Sequence, residues 1–86
     1  MQYFLSKSFE KQFKKLPKKI KQRVIERLSA FVSDPMDYRL HNHALMGEWM
    51  GHRNIDISGD IRAIYKRVDE KVVRFVAVGS HSTLYE

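Results

Sequence analysis

The sequence predicts an α+β fold with an N-terminal strand and an αα-hairpin packed on one face of a mainly antiparallel four-stranded sheet, in the order β-α-α-β-β-β. Three observations predict it. Apolar residues recur at helical spacing between positions 9 and 32, apolar residues alternate with polar ones or run together beyond position 52, and proline or turn chemistry separates the segments. A chain of eighty-six residues buries only about 60% of its unfolded surface, so residues 1–86 are expected to share one core.

Tyr3, Phe4 and Leu5 form a short aromatic-rich strand that ends at Ser6. Ser8 is expected as the N-cap of a first helix, whose Phe9, Phe13 and Leu16 fall on one side. Pro17 suits the first turn of a second helix, in which Ile20, Val24, Leu28, Phe31 and Val32 keep helical spacing until Asp34-Pro35 stops it. Met36 to Gly47 lacks periodicity and reads as a loop, and Trp49 beyond it reads as a core or rim anchor. Ile55 and Ile57 alternate with His52, Asn54 and Asp56, the pattern of a strand whose polar face is bare. Ser58-Gly59-Asp60 turns the chain into a strand from Ile61 to Lys66. Another turn at Val68-Asp69-Glu70 leads to Lys71–Val78, where Val72, Val73, Phe75, Val76, Ala77 and Val78 load both faces, as in an interior strand. Gly79 ends it, and Ser80 to Glu86 is expected to be a short tail.

Composition removes several function classes. There is no cysteine, hence no disulfide framework, no thiolate metal site and no thiol nucleophile. His41-Asn42-His43 offers two imidazoles without a second ligand pair, and neither a phosphate-binding glycine loop nor a serine nucleophile elbow occurs. No metal and no cofactor is expected. No apolar run approaches the roughly 18 residues of a membrane span, and no signal-peptide pattern opens the chain, so a soluble cytoplasmic protein is expected. The net charge of +6 lies entirely within the first thirty-four residues, which points to a polyanionic partner. Lys11, Lys14, Lys15, Lys18 and Lys19 fall between the apolar positions of the hairpin, either as a solvated face or as an RNA- or ribosome-binding one.

His43 in the loop, Asp60 in the turn, Arg62 on the following strand, and His81 and Tyr85 in the tail all lie in segments that end or turn near one sheet. Cleaving RNA without a metal requires groups that move protons between the 2′-hydroxyl and the leaving 5′-oxygen, and a cation for the phosphorane charge. Histidine, aspartate and arginine suit that work. Ordinary readings stand beside it: His81 as a packing group, Arg62 paired with Asp56 or Asp60, Tyr85 closing the core. His41 and His52 are expected to matter little.

The stretches from His43 to Arg53, with Leu45-Met46-Gly47-Glu48-Trp49 inside, from Gly59 to Tyr65, and from Val78 to Tyr85 resemble the RelE/ParE toxin superfamily, closest to its YafQ-like branch of messenger-RNA interferases. The resemblance covers nearly the whole chain. It implies the toxin of a type II toxin–antitoxin system, a metal-independent endoribonuclease that cuts mRNA on the ribosome and is silenced by a cognate antitoxin. It assigns His43, Asp60, His81 (the proton donor) and Tyr85 to the catalytic site. Asp56 stands where the YafQ-like branch has a histidine, Ile61 where it has an aromatic residue, and Ala77 where it has an arginine. The RelE branch carries an arginine on the strand after the turn, and Arg62, three residues before Tyr65, fits that position. Asp56 is therefore a possible site residue and Arg62 the phosphate-stabilising cation. The alternatives are a ParE-like toxin that binds DNA gyrase, or an inactive relic that only binds an antitoxin. Oligomeric state is left open.

Overall fold

The structure is a computed structural model that describes residues 1–85; Glu86, the last residue of the expected tail, lies outside the described residues. Strand β1 (Gln2–Leu5) leads into helices α1 (Lys7–Lys14) and α2 (Lys18–Ser33). Strands β2 (His43–Ala44), β3 (Arg53–Ser58), β4 (Ile61–Arg67) and β5 (Val72–Ser80) follow, and α3 (His81–Tyr85) closes the described chain. The strands form one sheet in the order β1-β5-β4-β3-β2, with β1 parallel to β5 and every other pair antiparallel.

The α+β class and the hairpin on one face agree with the sequence pattern, and three details correct it. The sheet has five strands because His43–Ala44, expected as loop, pairs with Arg53 and Asn54; two residues are too few for alternation to register. The cap of α1 is Ser6 instead of Ser8. The Ser6 hydroxyl accepts from the Phe9 N–H at 3.0 Å and donates to the Val76 carbonyl at 3.2 Å, fixing the helix start against β5. The expected tail is helical over His81–Tyr85 because the Ser80 hydroxyl accepts from the Thr83 N–H at 3.2 Å and bonds the Thr83 hydroxyl at 2.7 Å.

Phe9, Val24, Leu28 and Phe31 of the helices pack on Ile55, Ile57, Ala63, Tyr65, Val73, Phe75 and Val78 of the sheet. Phe75 is the centre of this layer. Its ring lies 5.3 Å from those of Phe31 and Tyr65, 5.6 Å from Tyr3 and 6.0 Å from Phe9, edge to face with Tyr3 and Phe31 and tilted against the other two. The register of β5 slips beside it: Tyr65 faces Phe75, whereas Ile64 faces Ala77. This bulge lets Phe75 and Val78 both face the helices while Val76 and Ala77 turn to the opposite face. There Ile64, Ala77 and Leu84 form a second, smaller cluster with Leu45 and Trp49 packed against it. The second face is thus partly covered, and Asn54, expected on a bare surface, is only 1% exposed. Among the described residues no helix is long and apolar enough to cross a membrane.

Replacing Phe75 with Ala should cost about 3–5 kcal/mol, as buried aromatic truncations do. Urea denaturation followed by circular dichroism checks this; a loss below about 1 kcal/mol would remove Phe75 from the centre of the core.

Candidate active site

The face opposite the helices carries a cleft of about 460 Å³. The pleat determines who reaches it: with Ile55 and Ile57 turned to the helices, Asn54 and Asp56 point the other way, and Arg62 lies directly across from Asp56. The loop contributes His41, His43, Leu45 and Met46, and α3 contributes His81 and Tyr85.

A chain of polar contacts runs along the floor. The Tyr85 hydroxyl donates to Asn54 Oδ1 at 2.9 Å, and Asn54 Nδ2 donates to Asp56 Oδ1 at 3.2 Å. Asp56 faces Arg62 Nη1 and His41 Nδ1, each at 3.4 Å. Arg62 Nη1 also donates to the Gly59 carbonyl at 2.9 Å. Gly59 has φ +51°, a left-handed turn conformation that suits glycine, and the turn brings that carbonyl within reach of the guanidinium. Burial raises the Tyr85 hydroxyl above its ordinary value; the Arg62 charge lowers it in part and Asp56 raises it further. Tyr85 is therefore a neutral hydrogen-bond donor at physiological pH.

His43 stands opposite Asn54 across the β2–β3 pair. Its Nδ1 lies 2.7 Å from the His41 carbonyl. A carbonyl only accepts, so Nδ1 carries the proton, and in the neutral ring Nε2 keeps the lone pair of a base. His81 opens α3, where its N–H donates to the Asp60 carbonyl at 2.9 Å and its ring lies 4.6 Å from that of Tyr85. Trp49 anchors the same helix by donating from Nε1 to the Leu84 carbonyl at 3.0 Å.

Of the residues proposed from sequence, His43, Arg62, His81, Tyr85 and Asp56 come together in this cleft. Asp60 does not line it: the residue is exposed on the β3–β4 turn and reaches the site through its backbone carbonyl. Lys11, Lys14, Lys15, Lys18 and Lys19 sit on or beside helices that cover the other face of the sheet, with a layer of protein between them and the cleft. Sequence reasoning passed over two members. His41 was expected to matter little, yet it lines the cleft and is the one non-glycine among the described residues with positive φ, at 49°. Asn54 joins Tyr85 to Asp56, and its signal was present in the alternation that puts 54 and 56 on one face. His52 lies outside the cleft against the Trp49 ring, with its Nδ1 buried and unpaired. Ala77 is packed with Ile64 and Leu84 in the second apolar cluster. Among the described residues no three His, Asp or Glu side chains are grouped to hold a metal ion.

The family model for the bacterial toxin YafQ of type II toxin–antitoxin systems matches residues 1–86. The chain belongs to the YafQ toxin family. It is 35% identical over 51 residues to the mRNA interferase toxin YafQ of Escherichia coli K12; the aligned stretch is 59% of this chain and about half (54%) of that relative. The crystal structure of YafQ from E. coli BL21(DE3) superposes with a TM-score of 0.82 at 24% identity, covering 99% of this chain and 98% of the other. YafQ in the E. coli DinJ-YafQ toxin-antitoxin complex superposes at 0.76 with 26% identity, covering 99% and 97%.

Tyr85→Phe should leave Asn54 Oδ1 buried without its donor and cost about 1–3 kcal/mol in denaturant unfolding. Because folding raises the Tyr85 pKa, its neutral form contributes stability that is full below about pH 10 and is lost as pH rises through the folded value. Absorbance titration should lose a late tyrosinate step in the Phe variant. An unchanged unfolding midpoint and an unchanged titration would dissolve the Tyr85–Asn54 link.

Proposed function

We propose that this protein is the endoribonuclease toxin of a type II toxin–antitoxin pair and cleaves mRNA, on the ribosome, by attack of the ribose 2′-hydroxyl. The observation that carries the proposal is the convergence of His43, Arg62 and His81 on one cleft. Two imidazoles and a guanidinium are the parts that in-line transesterification needs. His43 Nε2 takes the 2′-hydroxyl proton. The 2′-oxygen bonds to phosphorus, and Arg62 balances the charge on the phosphorane oxygens. The P–O5′ bond then breaks as His81 donates a proton to the leaving oxygen. The products are a 2′,3′-cyclic phosphate and a 5′-hydroxyl, with no external reactant consumed.

The remaining residues support these three. Asp56 and the Gly59 carbonyl aim Arg62. Asp60 steadies the start of α3 through its carbonyl, and Tyr85 flanks His81 with its ring. The lysines of the hairpin, on the opposite layer, would meet ribosomal RNA instead of the scissile nucleotide. A protein of charge +6 suits an acidic antitoxin, and relatives of this fold are known as DinJ-YafQ complexes.

Induced expression with primer-extension mapping of mRNA tests the reading; intact messages would refute it, and gyrase inhibition in a supercoiling assay would replace it with the ParE-like alternative. His81→Gln should lower the cleavage rate by about 10²–10⁴-fold with the fold intact by circular dichroism. Arg62→Ala should lose about 10²-fold or more, and Arg62→Lys should recover part, since lysine lacks the planar fork. A folded His81→Gln protein cutting at the wild-type rate would show that the acid is another group.

A further inference from the structure

A second cleft of about 610 Å³ adjoins the first and shares His41 and His43 with it as a common wall. Its other lining residues are Met36, Asp37, Tyr38 and Asn42. Tyr38 is 87% exposed and Met36 63%, so a flat aromatic side chain stands almost free beside the reactive cleft. Among the described residues no aromatic ring packs on Tyr38 and no hydrogen bond engages its hydroxyl.

The segment that presents it is rigid. Asp37 caps the 3-10 turn Tyr38–Leu40 by accepting from the Arg39 N–H at 3.0 Å, and Leu40 is fully buried beneath. Asp37 and Arg39 form a two-point ion pair at 3.0 and 2.7 Å. Asn42 is committed on every side: Nδ2 donates to the Pro35 carbonyl and to the Tyr65 hydroxyl, each at 2.8 Å, and Oδ1 accepts from Arg53 Nε at 2.8 Å. An exposed ring on a frame held this firmly loses little freedom when a planar ligand stacks on it.

We propose that this second cleft is a nucleotide subsite, in which Tyr38 stacks on a base flanking the scissile phosphate. The inference rests on the reading of the first cleft as the RNA-cleaving site. Continuity decides the ligand: an RNA strand whose reacting phosphate lies among His43, Arg62 and His81 has neighbours on either side, and the wall of His41 and His43 opens directly onto Tyr38. Charge is compatible. Among the described residues Asp37 is the one carboxylate lining the second cleft; it stays ionised at neutral pH, its pKa lowered to about 2 by its hydrogen bonds to Arg39, and the guanidinium paired with it offsets its charge toward a phosphodiester. Recognition there is mainly by stacking and shape, because both N–H donors of the Asn42 amide are already used and its Oδ1 is engaged by Arg53. The subsite accordingly strengthens binding to all four bases alike.

The test separates binding from cleavage. Fluorescein-labelled RNA decamers of mixed sequence are titrated against the His81→Gln protein with Tyr38 intact, and with Tyr38→Ala, Tyr38→Phe or Tyr38→Trp added; in parallel, mRNA cleavage by the otherwise wild-type Tyr38 variants is measured. The Tyr38→Ala change should weaken RNA binding about five- to a hundredfold, the range of base–aromatic stacking. Phe and Trp should restore it, and cleavage should fall through KM with kcat retained. Equal RNA affinity with and without Tyr38→Ala would overturn the subsite while leaving the cleavage reading intact. Weaker binding by the Tyr38→Ala protein with no cleavage by the wild type would uphold the subsite and refute the cleavage reading. An absence of RNA binding by every form would overturn the subsite, and an absence of cleavage by the wild type as well would refute both.

Discussion

The ring of Phe75 and the bulge beside it decide how this chain divides its two faces. Four aromatic rings converge on Phe75, from β1, α1, α2 and β4, and that burial holds both helices of the hairpin to one side of the sheet. A regular strand would continue the alternation and turn Ala77 back toward the helices. The slip between Tyr65 and Ile64 instead gives Val76 and Ala77 to the other face. An apolar patch too small to bind a long helix results, and it is enough to seat the five-residue α3 and the Trp49 turn. Of the two, α3 lines one wall of the cleft with His81 and Tyr85, and Trp49 anchors that helix through the Leu84 carbonyl.

Once that wall is in place, polarity does the rest. Asn54 is buried, and an amide without water must find protein partners. It finds the Tyr85 hydroxyl from α3 on one side and Asp56 on the other, and Asp56 in turn faces Arg62. One line of contacts therefore couples the position of the last helix to the direction of the cation. His43 is set independently, by the carbonyl of His41, whose left-handed backbone turns the loop at that point. The strained residue lies at the site, where over-determined backbone is commonly found. The ion pair of Asp37 with Arg39 acts in the same sense outside the cleft: it ties the loop and sets a positive charge against the carboxylate.

Much of this was legible in the sequence. Helical spacing from Phe9 to Val32 and alternation around Ile55 and Ile57 located the long elements, and the same alternation placed Asn54 and Asp56 on one face. Short elements escaped: β2 and α3 have two and five residues, too few for a period of 2 or 3.6 to repeat twice, and β2 exists by pairing with β3. The face of Asn54 was legible, but its burial was not, since it depends on Tyr85 of the tail closing over the sheet, and the left-handed backbone of His41 has no sequence pattern. Asp60 was placed in the site by its residue type, and the structure gives it a backbone contact alone. Tyr38 read as an ordinary loop residue because exposure of a ring has no signature in sequence.

The account stands most directly on the chemistry of the cut ends. Purified protein is incubated with ribosomes carrying a defined mRNA, and the fragments are analysed by mass spectrometry. A 2′,3′-cyclic phosphate on the upstream fragment and a 5′-hydroxyl on the downstream one are predicted, because His43, Arg62 and His81 supply proton transfer and charge but no activated water. A 3′-hydroxyl on the upstream fragment with a 5′-phosphate on the downstream one would contradict the account.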